Sequence, residues 1–379
     1  MTLLALLIAT GIPALFLIVI YTLDLYASRT FRLVLICFGW GSVGGFGLAL
    51  LTNSFVAPRL ARALTLDPQF LLVVAVAPVV EEIVKSLCLF YVSGRPEFTY
   101  FVDGAIYGFA SGIGFSITEN FLYISQNPSV GVPLALTRSF STCLMHGTAA
   151  GLVGAAVGRF RFKRQSGRQL ALIGGWVTAI LIHALFNLVA WRTSATGSLG
   201  ALVGMGIGLA GVGLIVLFIF LGLREERAWL ADTLNREVGV TDAEVRAAQS
   251  YGSLEEILKP ITKQFPKEAK QVQALVLKQA QMGIKRKVQQ RVKNPKLQER
   301  LGRDITQLQE EMEELRKDVG LGVMTYVRCV FPEGAADMWA CMEELEAHTG
   351  PPDVQRWAEM LTADEGQPSE RSIFLSLKE

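Results

Sequence analysis

Acidic side chains are scarce in the first part of this chain. Residues 1–223 hold seven of the 34 Asp and Glu residues, although they make up more than half of the 379-residue sequence. This imbalance predicts a membrane domain over residues 1–223 and a charged domain that begins at residue 224. The net charge of +2 averages the two parts and points to no class of partner. No nucleic-acid-binding fold signature is present, so we expect no nucleic-acid partner.

Several catalytic and secretory signatures are also missing. The five cysteines lack clustered spacing, which predicts free thiols rather than a disulfide framework or a zinc ribbon. HExxH, GxSxG with a following histidine and GxGD are all absent, which argues against a zincin helix, a serine hydrolase and an aspartyl protease. The N-terminus lacks the basic region of a signal peptide, so we interpret the first apolar run as a retained helix.

Seven apolar stretches are long enough to span a membrane, which takes roughly 20 residues. Lipid offers backbone groups no partner, so each stretch predicts a helix. We therefore predict an all-α fold, with a polytopic bundle of about seven transmembrane helices and a C-terminal helical cytoplasmic domain. The predicted spans are Leu3–Tyr21, Leu33–Leu51, Phe70–Tyr91, Phe101–Ile124, Leu134–Val157, Leu170–Trp191 and Leu199–Leu223.

Basic residues in the short loops predict the orientation of the bundle. The loop Gly158–Gln169 holds five Lys and Arg residues, which places it in the cytoplasm. The alternation of spans then puts ten such residues inside and three outside, with Arg59 and Arg62 against the trend. This asymmetry predicts an external N-terminus and a cytoplasmic C-terminal domain.

The third span contains a carboxylate pair and a lysine. A charge at the bilayer centre costs about 2.5–3.5 kcal/mol on insertion scales, so Glu81 and Glu82 need a reason to be there. Lys85 lies one turn after Glu81, so these two side chains share a face and can pair, and Lys85 would keep one of the two carboxylates ionised. Two adjacent carboxylates beside one ammonium are a pattern that can build a general base.

The next three spans contribute further polar groups at similar depths. Glu119 lies in span four, His146 in span five, and His183 with Asn187 one turn later in span six. With this topology all of them lie between mid-membrane and the outer half, so their depths are compatible with one shared site. Taken singly, a membrane histidine or asparagine can instead only bridge two helices. Arg138, near the outer end of span five, is expected to extend to the interface.

Small residues repeat every four positions on spans four and five. Such stripes let helix backbones approach closely in lipid. Here both stripes run into ionisable residues, which predicts close packing around a polar site. The two stripes are Gly104, Gly108 and Gly112 before Glu119, and His146, Ala150, Gly154 and Gly158.

Four short patterns in separate spans resemble those of the PrsW family of bacterial membrane peptidases, which is itself similar to the CAAX and Abi-type membrane proteases. The resemblance covers roughly residues 70–191. It rests on Glu81-Glu82-x-x-Lys85, Phe115-x-x-x-Glu119-Asn120, His146 and His183-x-x-x-Asn187.

The resemblance implies an intramembrane peptidase of the bacterial plasma membrane that cleaves membrane proteins, typically single-pass anti-sigma factors, on the outer side. Glu81, or else Glu82, would activate water, and Glu119 with His146 would hold that water or move its proton. The CAAX relatives imply that His183 and Asn187 stabilise the oxyanion. Those relatives carry histidine where this chain has Glu119. Lys85, Phe115 and Asn120 would be supporting residues.

Three alternatives stay open. A zinc or other divalent ion could be held by His146 and His183 with a glutamate, Glu119 or Glu82, although a metal-free glutamate mechanism is slightly favoured. Buried Glu and His could form the relay of a proton-coupled transporter or channel. The membrane domain could also be a scaffold without catalysis.

The C-terminal part is predicted to be helical over residues 224–364, with a disordered tail over residues 365–379. Apolar residues from Leu301 to Val319 alternate by four and three, which favours a helical hairpin, a short coiled coil or one helix of a bundle. The basic segment Lys259–Arg303 could contact anionic lipid of the inner leaflet, or it could be a solvated face. A homo-oligomer is a further hypothesis.

Overall fold

The computed structural model describes residues 2–26, 31–65, 67–162, 165–193, 197–234 and 268–320, with positions 240, 245, 248, 249, 266, 323 and 324. These residues are mostly helical and none lies in a strand, so the all-α prediction is confirmed for them. The helices are α1 Thr2–Thr22, α2 Phe31–Gly39, α3 Phe46–Leu64, α4 Pro68–Leu71, α5 Ala77–Val92, α6 Phe101–Gln126, α7 Gly131–Phe140, α8 Thr142–Phe160, α9 Gln165–Thr193, α10 Ser198–Thr233, α11 Glu268–Arg291 and α12 Pro295–Val319.

The chain divides into two compact units. The first holds Met1–Leu234 and Leu277–Glu311, and the second holds Asn235–Val276 and Met312–Glu379. The first unit contains the whole predicted membrane domain. The domain limits predicted at residues 223/224 and 364/365 stay predictions, and the predicted tail lies outside the described residues. The three cysteines of the described ranges are buried free thiols.

Within the described ranges, five helical runs are long and apolar enough to cross a membrane. Neither α5 nor α6 is among them: α5 carries three charged side chains, Glu81, Glu82 and Lys85, and α6 contains Asp103 and Glu119 among many small and polar residues. The predicted number of seven spans is therefore not confirmed. The five runs are Leu3–Thr22, Phe31–Leu64, Pro128–Phe160, Ser166–Thr193 and Ser198–Thr233.

Three of the predicted spans are interrupted helices. A π-helical turn, Trp40–Gly45, separates α2 from α3, and a second one, Leu72–Val76, separates α4 from α5. Single π-helical turns inside helices are frequent at functional sites. The third interruption is Ser141, whose φ of −109° and ψ of −84° divide α7 from α8.

The small-residue stripes of α6 and α8 lie directly against each other. A Cβ atom added to Gly104, Gly108 or Gly112 would lie 2.1–2.2 Å from a backbone carbonyl oxygen of α8. For Gly112 that oxygen belongs to His146. The predicted close packing of the two stripes is confirmed, and it brings the backbone of His146 against α6.

Arginines join the loops at one end of the bundle. Arg161, just after α8, donates to the backbone carbonyls of Ser93, Phe98 and Thr99 in the loop between α5 and α6. Arg159 pairs with Glu225 of α10 at 2.8 Å. The loops predicted to be cytoplasmic therefore lie at the same end of the first unit.

Helices α11 and α12 form a hairpin. Asn294 caps α12 by accepting from Lys296 N at 3.1 Å, and Pro295 occupies the first turn, where a missing N–H is tolerated. The Nζ of Lys285 lies 2.6 Å from Asp304 Oδ2, which joins the two helices along the part that belongs to the first unit. A hairpin was one of the arrangements that the apolar spacing favoured.

The close approach of α6 and α8 predicts an effect of opposite sign for two glycine substitutions. Gly108→Ala should lower the free energy of unfolding by about 1–3 kcal/mol, because its Cβ would lie 2.2 Å from the Ala150 carbonyl oxygen. Gly213→Ala is the control, since nothing lies within 4 Å of its Cβ, and it should be neutral or slightly stabilising. Unfolding in detergent, followed by circular dichroism, measures both. Equal stabilities of the two variants would contradict the packing described.

Candidate active site

Helix α5 carries the charged centre of the site. Glu81, Glu82 and Lys85 are 7%, 0% and 0% exposed, respectively. The helix begins directly after the π-helical turn Leu72–Val76, and Pro78 lies in its first turn, where proline costs least. Such complete burial of three ionisable groups requires compensating partners.

The ammonium of Lys85 pairs with Glu82 rather than with Glu81. Its Nζ lies 2.6 Å from Glu82 Oε1, across the i, i+3 spacing. The helical spacing also allowed a pairing of Lys85 with Glu81, because residues three and four apart both face a given side chain, and the rotamer of Lys85 selects Glu82. Glu81 is thereby left without a cation on its own helix.

His183 of α9 connects to both carboxylates. Its Nδ1 lies 2.8 Å from Glu82 Oε1, and its Nε2 lies 3.9 Å from Glu81 Oε2. Because an ionised carboxylate only accepts, the proton is assigned to Nδ1 of His183. The lone pair of Nε2 is then free on the side of Glu81.

His146 of α8 lies between Lys85 and Glu119. Its Nδ1 is 2.8 Å from Lys85 Nζ, and its Nε2 is 3.3 Å from Glu119 Oε2. The His146 and His183 rings meet edge to face, with centroids 4.7 Å apart. The Phe115 ring packs against His146 and lies 4.9 Å from Lys85 Nζ, which closes this side of the cluster with an apolar wall.

Glu119 is held by an arginine that the sequence reasoning did not assign to the site. Arg138 of α7 donates to Glu119 Oε2 and to Asn120 Oδ1, at 2.6 Å each, and its guanidinium lies over the Tyr123 ring. The extension of Arg138 to the interface stays a prediction; in the structure its guanidinium turns to Glu119 and its side chain is 13% exposed. The sequence did contain a signal for this role of Arg138, namely an arginine inside an otherwise apolar helix. Asn120 also donates to Cys143 Sγ.

The side chain of Asn187 makes a contact that its predicted role does not include. Its Nδ2 donates to the Val73 carbonyl oxygen at 2.8 Å, in the π-helical turn before α5. This contact anchors α9 to the segment that leads into Glu81 and Glu82. To stabilise an oxyanion, Nδ2 of Asn187 would have to exchange its hydrogen bond to Val73 for one to the oxyanion.

Three buried residues could together hold a metal ion. One ligand atom each from Glu81, His146 and His183 lie within 4.8 Å of one another, and no other such group of three occurs among the residues described. The predicted ligand sets paired the two histidines with Glu119 or Glu82. In the structure Glu119 pairs with Arg138, and Glu82 pairs with Lys85 and His183. Glu81 is therefore the carboxylate that remains available as a metal ligand.

Residues 29–223 match the family described as PrsW family intramembrane metalloprotease. A protein named Protease PrsW from Halalkalibacterium halodurans is 27% identical over 192 residues, which cover 49% of this chain and 83% of that protein. A second Protease PrsW, from Clostridioides difficile, is 28% identical over 117 residues, 30% of this chain and 49% of that protein. No solved structure is significantly similar to the chain.

Burial of the Lys85–Glu82 pair predicts a large and partly reversible loss of stability. Lys85→Met should lower the free energy of unfolding by about 3–5 kcal/mol, because the fully buried carboxylate of Glu82 loses its cation. Adding Glu82→Gln should restore part of this loss. Chemical unfolding in detergent measures both variants.

The control for this pair is Arg303→Met, which breaks the exposed pair between Arg303 and Glu299 on α12. Its cost should stay below about 1 kcal/mol. A Lys85→Met variant as stable as the wild type would show that this ion pair does not hold α5 in place.

Proposed function

This chain belongs to the PrsW family of intramembrane metalloproteases, and on that premise we propose that it is an intramembrane endopeptidase acting on membrane proteins. The observation that carries the proposal is the convergence of Glu81, His146 and His183 from α5, α8 and α9 into one buried cluster. The matched residues 29–223 include every member of the site. The match favours the protease over the transporter or channel and over the scaffold.

The donor set fits a divalent ion such as zinc. Two imidazoles and one carboxylate form a common set of protein ligands in catalytic zinc sites, which keep one position open. When bound, the metal supplies a Lewis acid that polarises the substrate carbonyl and activates water. Glu81 Oε2 is buried and has no hydrogen-bond partner within the described ranges, and His183 Nε2 has a free lone pair, so both are ready as ligands.

The residues around these three orient them. Glu82 accepts from His183 Nδ1, which fixes the tautomer and makes Nε2 a better donor, as carboxylates do behind metal-binding histidines. Lys85 keeps Glu82 ionised. Arg138 holds Glu119 as an anion beside His146, where Glu119 is placed to accept a proton from water and to return it to the leaving amine.

One contact favours a metal-free variant of the same peptidase. The Lys85 ammonium donates to His146 Nδ1, which puts the proton of neutral His146 on Nε2, where it blocks ligation. His146 would bind metal only after Lys85 turned fully to Glu82. Without metal, the unpartnered carboxylate of Glu81 would itself take the proton from water, as the sequence reasoning favoured.

The exposure of the side chains indicates how water reaches the cluster. Glu119 and Arg138 are 17% and 13% exposed, whereas Glu82 and Lys85 are fully buried. Glu119 lies 18 residues along α6 from Phe101, which is about 27 Å from the end of the bundle that carries the Arg161 loops. If those loops are cytoplasmic in a bacterial plasma membrane, with the N-terminus outside, cleavage occurs in the outer half of the bilayer. A single-pass protein such as an anti-sigma factor would be a suitable substrate.

Cleavage assays on site variants test the proposal. We expect the purified chain in liposomes to cleave members of a library of single-pass reporter peptides that carry a fluorophore and a quencher on either side of an apolar span. Glu81→Gln and His183→Ala should lower kcat/KM by at least about 100-fold, because each removes a member of the cluster. Glu82→Gln should lower it by about 10–100-fold through the orientation of His183.

Glu299→Gln, which alters a carboxylate that is 69% exposed on α12, is the matched control and should cleave like the wild type. Unfolding midpoints of all variants separate loss of chemistry from loss of fold. Wild-type rates for Glu81→Gln and His183→Ala together would refute the site.

Metal content distinguishes the two mechanisms without relying on activity. Elemental analysis should find about one zinc or other divalent ion per purified chain, and His183→Ala and Glu81→Gln should lose it. Glu119→Gln should keep the ion, since Glu119 is bound to Arg138. Treatment with 1,10-phenanthroline should remove both the ion and the cleavage activity. A metal-free wild type with full activity would instead establish the glutamate mechanism.

A further inference from the structure

An open cavity of about 550 Å³ lies at the end of the first unit that carries the Arg161 loops. This arginine pocket is lined by Tyr100, Arg159, Phe160, Phe162 and Arg291. Its volume is within the range of small-molecule sites. Its lining combines aromatic rings with two guanidinium groups and contains none of the proposed active-site residues.

Both guanidinium groups lie over one aromatic cluster. The Cζ of Arg291 is 4.8 Å from the Trp229 ring centre and 5.9 Å from that of Phe162, and the Cζ of Arg159 is 5.6 Å from that of Tyr100. Tyr100, Phe162 and Trp229 contact one another, so they form a continuous floor. A guanidinium stacked on a ring keeps its in-plane N–H donors free for an anion.

The charge in the pocket is not balanced. Arg159 pairs with Glu225, which also accepts from the Tyr100 hydroxyl. Arg291 is exposed, and no carboxylate pairs with it among the residues that the structure describes. The pocket therefore has one uncompensated positive charge beside a second arginine, and it attracts an anion.

The position of the pocket indicates that the anion comes from a lipid. Phe160 is the last residue of α8 and is 38% exposed, so the cavity opens where an apolar helix leaves the predicted membrane. Tyrosine and tryptophan are enriched at that depth, and basic pockets beside transmembrane helices bind lipid headgroups.

We propose that the arginine pocket binds the phosphate headgroup of an anionic phospholipid from the leaflet at this end of the bundle. The phosphate accepts from the in-plane N–H groups of Arg291 and from the face of Arg159 not used by Glu225. The acyl chains extend past Phe160 along α8.

The proposal assigns the anionic-lipid contact predicted for the segment Lys259–Arg303 to one residue of that segment, Arg291. The part of that segment that the structure describes contains Lys278, Lys285 and Lys287, and each pairs with a carboxylate. Their charges are neutralised within the protein. Arg291 is the basic residue of the described part of this segment that lines the arginine pocket.

Lipid binding by the full-length chain in neutral detergent tests the proposal without requiring cleavage activity. Native mass spectrometry and unfolding midpoints are recorded during titration with dioctanoyl phosphatidylglycerol, dioctanoyl phosphatidylcholine or glycerol phosphate. We expect saturable binding of phosphatidylglycerol at one site, weakened about fivefold to tenfold by Arg291→Gln. Arg291→Lys, which keeps the charge but loses the planar fork, should weaken it less.

Arg303→Gln removes the same charge from the same hairpin but outside the pocket, and it should bind like the wild type. Should Arg291→Gln fail to fold, the comparison of Arg291→Lys with Arg303→Gln decides the matter. Equal binding by the Arg291 and Arg303 variants, or equal binding of phosphatidylcholine, would overturn the proposal. Glycerol phosphate binding as tightly as phosphatidylglycerol would overturn the lipid assignment in favour of a soluble phosphate ester.

Discussion

The ammonium of Lys85 lies 2.6 Å from Glu82 and 2.8 Å from His146, with no exposure to solvent. An isolated charge at this depth would be strongly unfavourable, so the helices around it are arranged to keep it paired. Glu82 neutralises it and in turn binds His183, while His146 continues the chain to Glu119 and Arg138. Two cations, two carboxylates and two imidazoles thus connect α5, α6, α7, α8 and α9. Glu81 stands beside this network without a cation of its own, and its Oε2 has no hydrogen-bond partner among the described residues.

Close backbone packing makes the network geometrically feasible. The glycines of α6 meet carbonyl groups of α8 at distances that exclude any side chain, and the last of these contacts is the carbonyl of His146 itself. Side chains of neighbouring segments also donate to the backbone of α5. Trp40 Nε1 donates to the Val84 carbonyl oxygen, and the Ser111 hydroxyl donates to the Lys85 carbonyl oxygen. The active site is therefore supported by main-chain contacts and does not rely on its charged groups alone.

Hydropathy and four-residue spacing predicted the helices, the stripes of α6 and α8, and the residues that gather at the site. The count of spans could not be settled, because α5 and α6 are polar for the same reason that they are functional. The sequence also could not show which carboxylate pairs with Lys85, because Lys85 could reach Glu81 or Glu82 with equal ease along an ideal helix. The contact of Arg138 with Glu119 was not predicted, because the break at Ser141 between α7 and α8 leaves no obvious mark in an apolar segment. The hydrogen bond from Asn187 to Val73 was not predicted, because π-helical turns, which expose carbonyls such as that of Val73, follow no simple residue pattern.

The depth of the carboxylates has a consequence for any protein that is cut there. A membrane-spanning helix hides each carbonyl in its own i→i−4 hydrogen bond, and lipid offers no replacement for that bond. On the proposed function, the scissile stretch must uncoil before it can reach Glu81, and Glu119 and Arg138 are the polar groups available to receive its loosened main chain. Segments that contain glycine or proline unwind at lower cost, so local helical weakness, more than a consensus of side chains, would decide which proteins this enzyme degrades.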